Sequence, residues 1–146
     1  MAVRVEHVAG LQFECAVRCH RVLGDEPPEL GGGDQGMTPP ELLLAALAAR
    51  ADHYAREYLC ARSFPIEGLA VRVTAEKAAQ LVRIGAFHMD VDAPSVHEES
   101  HREGLGLAVK WCLIHNTLPH PPEIEISVAG AAPVVSWAHG NGLICR

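Results

Sequence analysis

The stretch Thr38-Pro39-Pro40-Glu41-Leu42-Leu43-Leu44-Ala45-Ala46-Leu47-Ala48-Ala49-Arg50 opens as a helix must open. Thr38 is spaced to accept a hydrogen bond from the backbone three residues on, and Glu41 to return one, the reciprocal T-x-x-E box. Pro39 fits the first turn, where no amide donor is needed. Leu42 to Ala49 are apolar all round, which predicts a helix buried on every side rather than one lying on a surface. Beyond Arg50 the pattern turns amphipathic, with Asp52 and Arg56 spaced for an i,i+4 pair, and the helix is expected to end near Ser63 and Pro65.

On the N-terminal side, residues 24–40 form a loop rich in Gly, Pro and acidic residues. Its Gly31-Gly32-Gly33 run lacks the Lys and Ser/Thr of a phosphate loop, so it reads as a turn that needs positive φ angles. Residues 11–22 alternate, placing Leu11, Phe13, Cys15, Val17 and Cys19 on one face, which predicts a half-buried strand. Residues 2–8 are its hairpin partner across Ala9 and Gly10. On the C-terminal side, 68–75 and 82–91 alternate as two more strands. Ser95 and Glu98 have the spacing of a second capping box, opening a helix that runs to about Leu118 before Pro119. Gly104 and Gly106 within it predict a bend or a close approach. Residues 123–128 form a last strand. Antiparallel hairpins interspersed with two long helices, without regular βαβ alternation, make the fold class α+β and the chain, 1–146, one domain.

The 146 residues carry a formal net charge of −6 with Lys and Arg scattered, which argues against nucleic-acid binding. The apolar run 42–49 is too short to cross a bilayer, and residues 3–7 lack the apolar core of a signal peptide, so the expected location is the cytoplasm, with no membrane association. Five cysteines (Cys15, Cys19, Cys60, Cys112 and Cys145) form no C-x-x-C pair and, in a reducing compartment, no disulfide framework. Cys15 and Cys19 are expected to point inward as filler, with His20 on the opposite face, which speaks against a shared metal. His97 and His101 have the i,i+4 spacing by which two imidazoles share a zinc ion. They lie in a charged turn with Glu98, Glu99, Arg102 and Glu103 that reads as a solvated face, so no metal and no cofactor are expected.

Three segments taken together resemble the OsmC/Ohr family: Gly24-Asp25-Glu26-Pro27, then Gly31-Gly32, then Thr38-Pro39-x-Glu41-Leu42-Leu43-Leu44-Ala45-Ala46-Leu47-Ala48-Ala49. The likeness is to the branch whose central helix opens with Pro-x-Glu-Leu-Leu-Leu-Ala-Ala. Ala108-x-x-x-Cys112 followed by Leu118 is similar to the family's second motif, and the element order matches from about residue 3 to 129. The resemblance implies antiparallel sheets packed on two long central helices, in an intertwined homodimer with its site at the interface. It implies peroxidase chemistry in active members. There a cysteine ending the small-residue run attacks the hydroperoxide, the second-motif cysteine resolves it into a disulfide, and in several members lipoyl groups re-reduce it.

This sequence departs from that pattern where the nucleophile belongs. Arg50 follows Ala48-Ala49 at the place of the first cysteine, whereas Cys112 matches the second. The family's catalytic glutamate falls at Pro40, one place before Glu41, and its catalytic arginine is not carried over to any residue here. Peroxide reduction needs a thiolate that becomes a sulfenic acid, and a permanently protonated guanidinium cannot replace it. Cys60 lies about 15 Å further along the helix axis and roughly 80° round it, so it cannot stand in. Three readings remain open: Arg50 paired internally with Glu41, Asp52 or a carboxylate of the second subunit; Arg50, with Glu41, lining a pocket for a small anionic ligand; or a one-cysteine, thiol-dependent hydroperoxide reductase using Cys112. Cys145 in the tail is unconstrained by the sequence, so a Cys112–Cys145 pair standing in for the usual two cysteines also stays open.

Overall fold

The box at Thr38 closes as its spacing predicts: the Glu41 N–H donates to Thr38 Oγ1 at 3.4 Å, and the Thr38 N–H donates to Glu41 Oε2 at 2.8 Å. It opens helix α1, Pro39–Ala61, in a computed structural model that describes residues 2–80, 82–129 and 135–136. α1 stops where Arg62 leaves helical geometry and Ser63 takes φ 57°.

Before α1, strands β1 (Arg4–Ala9), β2 (Gln12–Val17) and β3 (His20–Gly24) form an antiparallel sheet in that order. The single strand expected over 11–22 is therefore two strands. A two-residue turn at Arg18 and Cys19 brings Val17 opposite His20, with Arg18 at φ 56°. Alternation persists through this turn, which is why it is invisible as a pattern. Cys15 is half-buried as expected, but Cys19 sits exposed in the turn and is not filler.

After α1, β4 (Ala70–Lys77) and β5 (Ile84–Asp92) pair as a long antiparallel hairpin that packs on α1. Helix α2 spans Glu99–Lys110 and begins later than expected. The Ser95 hydroxyl donates to the Pro65 carbonyl at 2.6 Å instead of capping, and Glu98 takes the N-cap position without a side-chain bond. The helix also does not run on to Leu118. Cys112 adopts extended geometry (φ −65°, ψ 129°) and starts a separate short helix α3, Leu113–Thr117. The last expected strand shrinks to β6 (Glu125–Ile126), paired with β7 (Val135–Ser136).

The core lies between α1, α2 and the hairpin. Ala51, Ala55, Tyr58 and Leu59 meet Val96, Leu105 and Val109, flanked by Leu69, Val71, Met89 and Val91. Gly104 is required here: a Cβ on it would run into the Tyr58 hydroxyl and come within 3.0 Å of the ring, so the close approach predicted for this glycine is a helix–helix contact. The N-terminal half of α1 behaves differently. Leu42 to Ala45 are only half-buried and Ala46 is exposed, so burial on all sides is not achieved within one chain. The first sheet likewise makes no extensive contact with the helices of its own chain, leaving Val5, Val8, Val22 and Leu23 exposed.

Candidate functional site

Arg50 is half-buried on α1, one turn before Tyr54. Its Nη2 donates to the Tyr54 hydroxyl at 3.2 Å, and the guanidinium lies 4.7 Å from the centre of that ring. No carboxylate pairs with it among the described residues. Glu41 is engaged elsewhere, in the capping box nine residues earlier, about 13 Å along the axis. Hydrogen bonds from the Thr38 backbone and hydroxyl hold the Glu41 carboxyl below the ordinary glutamate value. The spacing of Asp52 and Arg56 produces no ion pair among the described residues either. The structure thus does not bring Arg50 and Glu41 together.

The same face continues. Tyr58 follows Tyr54 by four residues and Arg62 follows Tyr58 by four, so Arg50, Tyr54, Tyr58 and Arg62 form one i,i+4 ladder. The Arg62 guanidinium lies 3.8 Å from the centre of the Tyr58 ring and donates to the Tyr58 carbonyl at 3.4 Å. Each guanidinium therefore lies over a tyrosine ring, Arg50 half-buried and Arg62 exposed. Across from Tyr54, Tyr58 and Arg62, α2 presents Leu107 and Ala108 beside Gly104, Trp111 follows at its C-cap, and the two walls bound an open groove of about 510 Å³ that Arg50 itself does not line. Sequence reading missed Tyr54, Tyr58, Arg62 and Trp111, although the strict fourfold spacing from Arg50 was there to be counted.

Cys112 is 1% exposed. Its position as N-cap of α3 turns the sulfur onto its own chain, where Sγ accepts the His115 N–H at 3.4 Å. Cys60 is exposed, and Cys145 lies outside the described residues, so the Cys112–Cys145 pairing does too. His97 precedes α2 while His101 lies within it, so the two do not share a helix face. His101 turns instead to Tyr58, with Nδ1 3.3 Å from the hydroxyl, and packs edge-on against Phe64. Among the described residues no group of three or more His, Cys, Asp or Glu is placed to hold a metal.

The loop ahead of α1 contains a second feature that sequence reading missed. Asp25 is fully buried and accepts from the N–H groups of Glu26 (2.8 Å), Gly33 (3.0 Å) and Gln35 (3.2 Å) and from the Gln12 side-chain amide (3.3 Å). Burial opposes its ionisation, but the hydrogen bonds outweigh that and hold the carboxyl below the ordinary aspartate value. Asp25 fixes the loop that delivers the chain to Thr38, a structural task.

The family model for OsmC-like protein matches residues 31–127. Among solved structures, the chain is similar to a Psychrobacter arcticus protein assigned to osmotic stress induction and the detoxification response, with TM-score 0.72 and 16% identity over 80% of this chain and 87% of that one. An OsmC-like protein from Mycoplasma pneumoniae gives TM-score 0.66 and 20% identity, over 82% and 87%. A Vibrio cholerae protein assigned to organic hydroperoxide resistance, with captopril bound in one of its active sites, gives TM-score 0.53 and 17% identity, over 90% and 93%. No curated protein matches the chain in sequence. The architecture agrees with these matches, and with the family model covering residues 31–127 the chain belongs to the OsmC-like protein family.

Proposed function

We propose that this OsmC-like chain is a cytoplasmic homodimer that binds a small anionic ligand and does not act as a two-cysteine hydroperoxide reductase. The observation that carries the reading is Arg50: a half-buried guanidinium at the nucleophile's place, held by Tyr54 and without a carboxylate among the described residues. A buried cation is costly unless something compensates it, and the tyrosine ring does so only in part. A small anion completes the pairing. In the Vibrio cholerae relative an active site admits the small molecule captopril. The alternative, one-cysteine hydroperoxide reduction by Cys112, requires a thiol open to substrate, whereas Cys112 is 1% exposed.

The dimer is supported by exposed apolar surface. Val5, Val8, Val22 and Leu23 on the first sheet are exposed, and Leu42 to Leu44 on α1 are only half-buried, apolar surfaces that a second copy would cover.

The test is consumption of an organic hydroperoxide with dihydrolipoate as reductant, comparing the natural protein, Arg50→Cys and Cys112→Ser. The expected result is no turnover by the natural protein. Arg50→Cys is expected to gain turnover that also needs Cys112. Turnover by the natural protein that Cys112→Ser abolishes would overturn the reading in favour of the one-cysteine enzyme.

A further inference from the structure

We infer that the groove between α1 and α2 is the seat of the ligand, and that the ligand is a flat aromatic carboxylate. This rests on the reading of the Arg50 end of α1 as anion-holding and assigns the contact within the groove to Arg62, the arginine that lines it beside the two tyrosines.

Tyr54 and Tyr58 stand one turn apart, about 5–6 Å between their Cβ atoms. Arg50 approaches from the N-terminal side and lies over the first ring; Arg62 approaches from the C-terminal side and lies over the second. Each guanidinium thus covers the ring of its own tyrosine. Neither has a carboxylate partner among the described residues, in a chain whose Asp and Glu outnumber its Lys and Arg by 18 to 12. Each spends one N–H on its tyrosine, leaving further donors of the planar fork for an oxygen pair.

The groove beside these rings has the size of a small-ligand site, about 510 Å³. Its far wall is Leu107 and Trp111, the latter 78% exposed, and aromatic rings line both sides. An exposed tryptophan across the groove from the half-buried Tyr54 suits a flat ring that packs against both, while Tyr58, buried under Arg62 and Gly104, forms the floor. Among the described residues Glu57 is the one carboxylate lining the groove, and it turns to His53 at 3.4 Å. Charge therefore favours an anion at the arginine end and an uncharged, planar body towards Trp111.

The experiment is equilibrium dialysis of the full-length protein against three probes: naphthalene-2-carboxylate, its neutral analogue 2-naphthamide, and acetate. The expected order is naphthalene-2-carboxylate first, 2-naphthamide at least about tenfold weaker, the loss of one charged hydrogen-bond partner. Acetate, which has no body to stack, should not bind measurably. Arg62→Gln and Trp111→Ala should each weaken naphthalene-2-carboxylate by about tenfold. Thermal melts of both variants, and of Arg62→Lys, which keeps the charge, separate a loss of binding from a loss of stability at Tyr58. Binding that falls with Arg50→Gln but not with Arg62→Gln or Trp111→Ala would overturn the groove while leaving the anion reading standing. No binding of naphthalene-2-carboxylate, or equal binding of the amide, would overturn the inference outright, and the hydroperoxide assay on Arg50→Cys then judges the broader reading separately.

Discussion

At the scale of single residues, the chemistry is set by what surrounds a charge. Asp25 is buried but ionised because four N–H donors face it, and its carboxyl sits below its ordinary value. The folded-state value is lower than the unfolded one, so its stabilisation is present above the unfolded value near 3.8 and is lost as pH falls through the folded value. Glu41 in the capping box contributes with the same sign. Asp25→Asn should therefore lower the melting temperature at neutral pH and flatten its decline in acid, which thermal melts between neutral pH and pH 3 would measure. An unchanged acid limb would mean that Asp25 is not ionised when folded. Arg50 and Glu41 were both singled out by position, but only contact geometry separates them: the carboxylate caps its own helix and the guanidinium lies over Tyr54. Nothing in one-dimensional spacing says which partner a flexible side chain takes.

At the scale of elements, legibility followed the range of the interactions. The start of α1 was readable because Thr38 and Glu41 satisfy each other within one turn. Ser95 and Glu98 have the same spacing and fail, because the serine hydroxyl finds the Pro65 carbonyl thirty residues away. The turn at Arg18 and Cys19 carries no Gly, Pro or Asn to announce it, and the break at Trp111 and Cys112 has no helix breaker at all. Both are imposed by pairing and packing. Gly104 was legible as an anomaly and became meaningful only once Tyr58 lay over it. Gly104→Val should separate α1 from α2, lower the melting temperature and, because Tyr58 is shared, weaken any ligand in the groove. Leu59→Ala, at a fully buried position, should cost about 2–5 kcal/mol in chemical denaturation while leaving the surface of the groove intact.

At the scale of the whole molecule, the family and the α+β class were readable from motif order, whereas the partner of the apolar surfaces was not. The eight apolar residues after Glu41 imply burial on every side, and of these one chain buries only Leu47. Sedimentation equilibrium should give twice the 15.7 kDa chain mass, and unfolding midpoints should rise with protein concentration, as coupled folding and association require. A concentration-independent midpoint at the chain mass would refute the dimer. Charged substitutions at Val5 and Val22, which are exposed in the single chain, would then be harmless; in a dimer they should lower solubility and stability together.

The clasp formed by Asp25 bears on how this scaffold can be altered. Its carboxylate ties residue 25 to residues 33 and 35, so the ends of the intervening segment are held together whatever the tip contains. Lengthening a loop whose ends are already joined costs little, about 0.6 kcal/mol for each doubling. The short turn Pro28–Leu30 at the tip is consequently a natural insertion point, where a foreign peptide could be displayed without disturbing the register of β3 or the entry into α1.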